Sequence, residues 1–100
     1  MALHPDVLEV LRAVVDPEVG INIVDLGLVY RAERTVDAID VAMTMTTRAC
    51  PLGEMMLEEA RAALARHFPD VPRIATNLVW DPLWTPAMMT VQGREQLANW

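Results

Sequence analysis

Cys50 is the single cysteine of this 100-residue chain and its most nucleophilic side chain. It stands directly before Pro51-Leu52, where proline suits the first position of a helix because its missing N–H costs nothing there. A thiol at such a helix start has orphan backbone N–H groups and the positive end of the helix dipole beside its sulfur, and both favour thiolate over thiol. The spacing therefore predicts a Cys50 pKa below the ordinary ~8.5 of a free thiol, with nearby Arg48 acting in the same direction. The competing reading is a buried packing cysteine, whose apolar surroundings would raise the pKa instead. Upstream, Asp16, Glu18 and Asp25 offer hard oxygen donors or general bases, while Thr46 and Thr47 end the strand that leads into Cys50. Strand end, thiol and carboxylate loop make one candidate site. Against it stands the plainer reading, in which Asp16 turns its own backbone and the threonines are ordinary strand residues. His4 and His67 are isolated, and neither is a candidate metal ligand.

The elements that must position these groups follow from periodicity. Pro5 suits a first helical position, and Val7, Leu8, Leu11, Val14 and Val15 recur at helical spacing, predicting a helix over Pro5 to Val15. Pro17 disfavours helical geometry at Asp16, so the segment from Asp16 to Asn22 is expected as an ordered loop. Strands are expected over Leu26 to Arg34 and Ile39 to Thr47, paired as a hairpin through Thr35-Val36-Asp37-Ala38. In the second strand Ile39, Val41, Met43 and Met45 share one face, and Asp40, Ala42, Thr44 and Thr46 the other. A second helix opens at Cys50-Pro51-Leu52, with Leu52, Met55, Met56, Ala60, Ala63 and Leu64 as its apolar stripe and Glu58 and Arg61 paired on its wet side. After Pro69 and Pro72 a third strand is expected over Arg73 to Trp80. Thr85-Pro86 then signals a short helix, and Thr90 caps a last one ending near Leu97, although Gly93 weakens it. Helix, strand, strand, helix, strand, helix describes an α+β two-layer sandwich: a small mixed sheet with helices on one face.

Composition limits what such a fold can do. At 53% hydrophobic and 22% charged, residues 1–100 read as one domain that buries roughly 65% of its unfolded surface. Fourteen acidic residues against eight basic ones give a net charge of -6, the wrong sign for gripping phosphate backbones, so no nucleic-acid partner is expected. The chain contains neither serine nor lysine. That removes serine-nucleophile hydrolysis, a P-loop with its lysine, and Schiff-base chemistry. One cysteine allows no disulfide within the chain, and no apolar run approaches the ~18 residues of a membrane helix, so a cytoplasmic protein without membrane contact is expected. Trp80, Trp84, Met88, Met89 and Trp100 crowd too much apolar area into the last residues for an exposed tail. That segment either folds back on its own domain, which we favour, or docks on a partner.

Three ordered motifs carry a family resemblance. They are Asp16-Pro17-Glu18-Val19-Gly20-Ile21-Asn22-Ile23-Val24-Asp25-Leu26-Gly27-Leu28-Val29-Tyr30, then Met45-Thr46-Thr47-Arg48-Ala49-Cys50-Pro51-Leu52-Gly53, then Val79-Trp80-Asp81-Pro82-Leu83-Trp84-Thr85-Pro86 with Met88-Met89. Together the chain resembles the small iron-sulfur cluster assembly factors, a family long labelled a domain of unknown function. That family includes SufT-like proteins and the related phenylacetate-degradation maturation component. The second type carries an additional cysteine-rich C-terminal region that this chain lacks after Cys50, which favours the stand-alone, SufT-like type; Arg48-Ala49 departs from the proline or glycine types common before the cysteine.

The resemblance implies an α+β domain in which Cys50 faces the loop of Asp16 and Glu18. It also implies a role in assembling or transferring clusters, with apo iron-sulfur clients and cluster scaffold proteins as partners. Labile iron or an iron-sulfur cluster would then be bound by Cys50, Asp16 and Glu18, with Thr46 and Thr47 in the binding segment. Four ligands are usual for a [2Fe-2S] cluster, and one chain offers one thiolate, so a symmetric homodimer supplying two Cys50 thiols is the corresponding assembly. Two other classes stay open on the residues alone: a thiol enzyme with Cys50 as nucleophile or redox switch, and an interaction adaptor with a structural Cys50.

Overall fold

The computed structural model describes residues 3–46 and 52–98. They form α1 (Pro5–Leu11), β1 (Val29–Arg34), β2 (Ala38–Met43), α2 (Leu52–His67), β3 (Arg73–Leu78), a 3₁₀ turn (Pro86–Met88) and α3 (Val91–Ala98). Cys50, Thr47, Pro51, Trp100 and the side chain of Leu52 lie outside the described residues. β1 and β2 pair antiparallel with Arg34 opposite Ile39, β2 and β3 pair parallel, and the sheet order is β1-β2-β3. A parallel pair needs a crossover, which α2 provides. The expected α+β architecture with a small mixed sheet is what the chain adopts.

The core lies between the sheet and helices α1 and α2. Val7 and Leu11 of α1, Met56, Ala60, Ala63 and Leu64 of α2, and Ile39, Val41 and Met43 of β2 join one buried apolar cluster. Alternation along β2 puts those three on the helix side, as the period of two requires. The other side is not open at the strand's end, because Ala42 and Thr44 are buried as well. A bulge explains part of this: Val29 opposes Met43 and Arg31 opposes Ala42, which leaves Tyr30 as the extra residue. Its hydroxyl donates to the Pro82 carbonyl at 2.8 Å, and the Trp84 indole N–H donates to the Leu26 carbonyl at 2.6 Å. With Met89 buried, the segment from Trp84 to Met89 is strapped onto its own domain, as favoured from its composition.

Several boundaries differ from the periodicity reading. α1 ends at Leu11 rather than Val15, because the Val14 carbonyl accepts from Ile23 N–H at 2.9 Å and Asp16 N–H donates to Ile21 at 3.0 Å. Those long-range bonds outcompete another helical turn. β1 starts at Val29 rather than Leu26, since residues 22–27 are taken up by turns and Gly27 has φ 78°. β2 stops at Met43 and β3 at Leu78, each short of its expected end. Met55 is exposed rather than on the buried stripe, which runs through Met56, Ala60, Ala63 and Leu64. Thr85 makes no side-chain cap, and only a 3₁₀ turn follows it. Thr90 does cap α3, accepting from Gly93 N–H at 3.0 Å. Gly93 is required there: a Cβ would stand 2.3 Å from the Asp25 carbonyl oxygen.

Candidate functional site

Successive backbone hydrogen bonds tether the end of β2 to the acidic loop. Thr44 N–H donates to Leu28 at 2.8 Å, Leu28 N–H to Ile23 at 3.0 Å, and Ile23 N–H to Val14 at 2.9 Å. Asp16 follows two residues after Val14. Its carboxylate accepts from Glu18 N–H at 2.8 Å, and its carbonyl accepts from Gly20 N–H at 2.7 Å. Gly20 closes the loop at φ 79°, a left-handed conformation that glycine adopts without a Cβ penalty. Asp16 is thus a buried turn-former, and Glu18 lies on the exposed crest of the turn it forms. The aspartate turn read from sequence is present.

Asp25 behaves differently from either. Its carboxylate accepts from Arg12 Nη1 at 2.9 Å, from Asn22 Nδ2 at 2.8 Å and from Thr90 Oγ1 at 3.0 Å, while its carbonyl accepts from Thr90 N–H at 2.9 Å. Burial alone would raise this carboxyl's pKa. The hydrogen bonds from Asn22 and Thr90 and the Arg12 guanidinium outweigh it and hold the group below the ordinary carboxylate range. Asp25, weighed from sequence as a donor or base, is a structural anchor joining the chain after α1, the 22–27 turn and the start of α3. Sequence reasoning missed this anchor. Asn22 and Asp25 at a spacing of three carried a local turn signal, whereas Arg12 and Thr90 are distant in sequence and carried none.

At the strand end, Thr46 is half-buried, and Thr44 is fully buried with a hydroxyl that finds no hydrogen-bond partner among the described residues. Thr47 and Cys50, the other two residues of the candidate binding segment, lie outside the described residues. Among the described residues no three histidine, cysteine, aspartate or glutamate side chains gather as a metal site.

A family model described as an iron-sulfur cluster assembly protein matches residues 5–75. The chain belongs to this iron-sulfur cluster assembly family. The matched span takes in the acidic turn, the end of β2 and the segment carrying Cys50, and it stops before the strap of residues 79–89. The Fe-S protein maturation auxiliary factor YitW of Bacillus subtilis is 39% identical over 90 residues, covering 89% of this chain and 87% of that protein. The Fe-S protein maturation auxiliary factor SufT of Staphylococcus aureus is 40% identical over 78 residues, covering 77% and 88%. Among solved structures, a domain of unknown function from Bacillus anthracis, DUF59, superposes with a TM-score of 0.87 at 33% identity, covering 93% of this chain and 89% of that one. The assembly-family resemblance read from the three motifs is therefore shown, and with it a SufT-like place in iron-sulfur protein maturation.

Proposed function

We propose that this protein acts in maturation by accepting iron or an iron-sulfur cluster at Cys50 and passing it to apo client proteins, with Asp16 and Glu18 beside the thiol. The observation that carries this reading is the bonded path from the end of β2 to the acidic turn, because the chain leaving that strand end reaches Cys50 four residues after Thr46. Iron or cluster is cargo here. A [2Fe-2S] cluster takes four ligands, and one chain brings one thiol, so a single subunit holds such cargo weakly. Weak holding suits transfer better than electron carriage. A symmetric pair of subunits would bring two Cys50 thiols, with carboxylates or a client's thiols completing the shell. Cluster scaffold proteins are the donors in this scheme. A reducing cytoplasm is the compartment that keeps such a thiol free, and no helix among the described residues is long and apolar enough to cross a membrane.

Anaerobic reconstitution with ferrous iron and sulfide tests the reading directly. Wild type should gain cluster absorption and bound iron, and Cys50→Ala should lose both. In cells lacking the gene, wild type should restore the activity of cluster enzymes and Cys50→Ala should not. Full complementation by Cys50→Ala would overturn the role of the thiol and leave an adaptor. Loss of complementation with no iron bound by wild type would instead point to a thiol enzyme.

A further inference from the structure

Among the described residues, the outer edge of β3 pairs with no further strand. Arg73 N–H donates to the Asp37 carbonyl and Val79 N–H to Met43, so the odd-numbered residues from 73 to 79 turn their backbone groups toward β2. Ile74, Thr76 and Leu78 therefore turn their N–H and C=O groups away from the sheet. No described strand lies beyond them. Natural edges are blunted by prolines, bulges or charged side chains; between Arg73 and Leu78 β3 has no proline or bulge, and its one charged residue is Arg73 at its start. Beside this edge runs a groove of about 520 Å³, lined by Arg61 and Ala65 of α2, by Val71 and Pro72, and by Arg73, Ile74 and Ala75 of β3.

We infer that this groove binds an extended acidic segment of a partner protein by strand addition to β3. Charge selects the sign of the ligand. On a chain of net charge -6, both charged residues lining the groove are arginines. Arg61 also pairs with Glu58 on α2, an exposed pair of little intrinsic worth. Main-chain bonds to Ile74, Thr76 and Leu78 would provide affinity, and alternate side chains of the added strand would meet the Ala65–Ile74 wall. Charge argues against a second copy of this chain as occupant. The charged residues lining the groove are arginines in every copy, so pairing two β3 edges would set cation beside cation, whereas an acidic segment complements Arg61 and Arg73. Thr76 Oγ1 donates to the Leu57 carbonyl at 3.2 Å, which ties α2 to β3 along the groove.

The surface is independent of Cys50 chemistry, and its test is separate. The probe is a fluorescein-labelled octapeptide alternating glutamate with valine, compared with one alternating lysine with valine. The glutamate peptide should bind at least tenfold more tightly, weaken with salt, and slow amide exchange at Ile74, Thr76 and Leu78. Arg73→Glu, at an exposed residue, should lower its affinity at least fivefold, and N-methylation of alternate peptide residues should abolish binding at unchanged charge. Cys50→Ala should bind like wild type. Absence of binding, equal binding of both peptides, or indifference to N-methylation would overturn the inference.

Discussion

Asp16 and Asp25 lie nine residues apart and are almost equally buried, at 2% and 4% exposure, yet they do different work. Asp25 takes three side-chain donors from three parts of the chain, and Asp16 takes one backbone N–H from its own turn. An ionised carboxylate has about four acceptor positions, so the first is nearly saturated and the second is not. Burial therefore does not separate a structural carboxylate from one with capacity left. The count and origin of donors do.

The sharpest way to break this comparison is to delete each carboxylate. Asp25→Ala leaves the Arg12 guanidinium, Asn22 and Thr90 without their shared acceptor and should cost about 3 kcal/mol in urea denaturation. Asp16→Ala removes one local bond and should cost about 1 kcal/mol. Equal losses would erase the distinction. Gly93→Ala attacks the same anchor from the α3 side by driving a Cβ into the Asp25 backbone, and it should cost about 2 kcal/mol as an overpacking change. Gly53→Ala, whose Cβ would meet side-chain atoms of Leu78 and Met45 at 3.3 and 3.4 Å rather than backbone, should cost less than that.

Acid sharpens the same contrast. The folded Asp25 carboxyl holds its proton less tightly than an unfolded aspartate of pKa ~3.9, so its contribution is fully present above that value and is lost as pH falls through the lower folded pKa. Stability followed from pH 6 down to pH 2 should fall, and Asp25→Asn should flatten the lower part of that curve. An unchanged slope in Asp25→Asn would show that other carboxyls carry the acid sensitivity.

Element order and the buried stripes were legible in the sequence because they rest on local periodicity: Ile39, Val41 and Met43 alternate, and Met56, Ala60, Ala63 and Leu64 recur at helical spacing. Boundaries were legible only where a local signal set them. Pro5 marked the start of α1, but its end was decided by Ile21 and Ile23 bonding back to residues 14–16. Of the candidate site, Asp16 could be read as a turn from the Asp-Pro-Glu order, while the Asp25 anchor depends on Arg12 and Thr90, whose partners no spacing rule connects. Gly93 read as a weakness of α3 because its reason lies across the molecule, at Asp25.

A smaller change probes the strand end. The buried Thr44 hydroxyl has no partner among the described residues, and an unsatisfied buried hydroxyl costs stability. Thr44→Val, close in shape, should raise stability by about 1 kcal/mol in thermal or urea unfolding. A fall instead would mean that the hydroxyl is bonded and belongs to the binding segment that runs on to Cys50.

The smallest stability effect is expected at Glu18, and there the functional effect should be large. The residue sits exposed on the crest of a turn built by the carboxylate of Asp16 and by Gly20, so the isosteric Glu18→Gln keeps the backbone bond to Asp16. Such a surface change normally costs within about 0.5 kcal/mol. It removes a negative charge and leaves a neutral amide, a poorer ligand for a hard cation. If the acidic turn works with Cys50, Glu18→Gln should unfold like wild type, bind less iron on anaerobic reconstitution and mature cluster enzymes less well in cells. Asp16→Asn is the less clean test, because it alters the turn and the charge together. A Glu18→Gln protein that binds iron and supports maturation like wild type would take the crest of the turn out of the site and leave Cys50 to act without it.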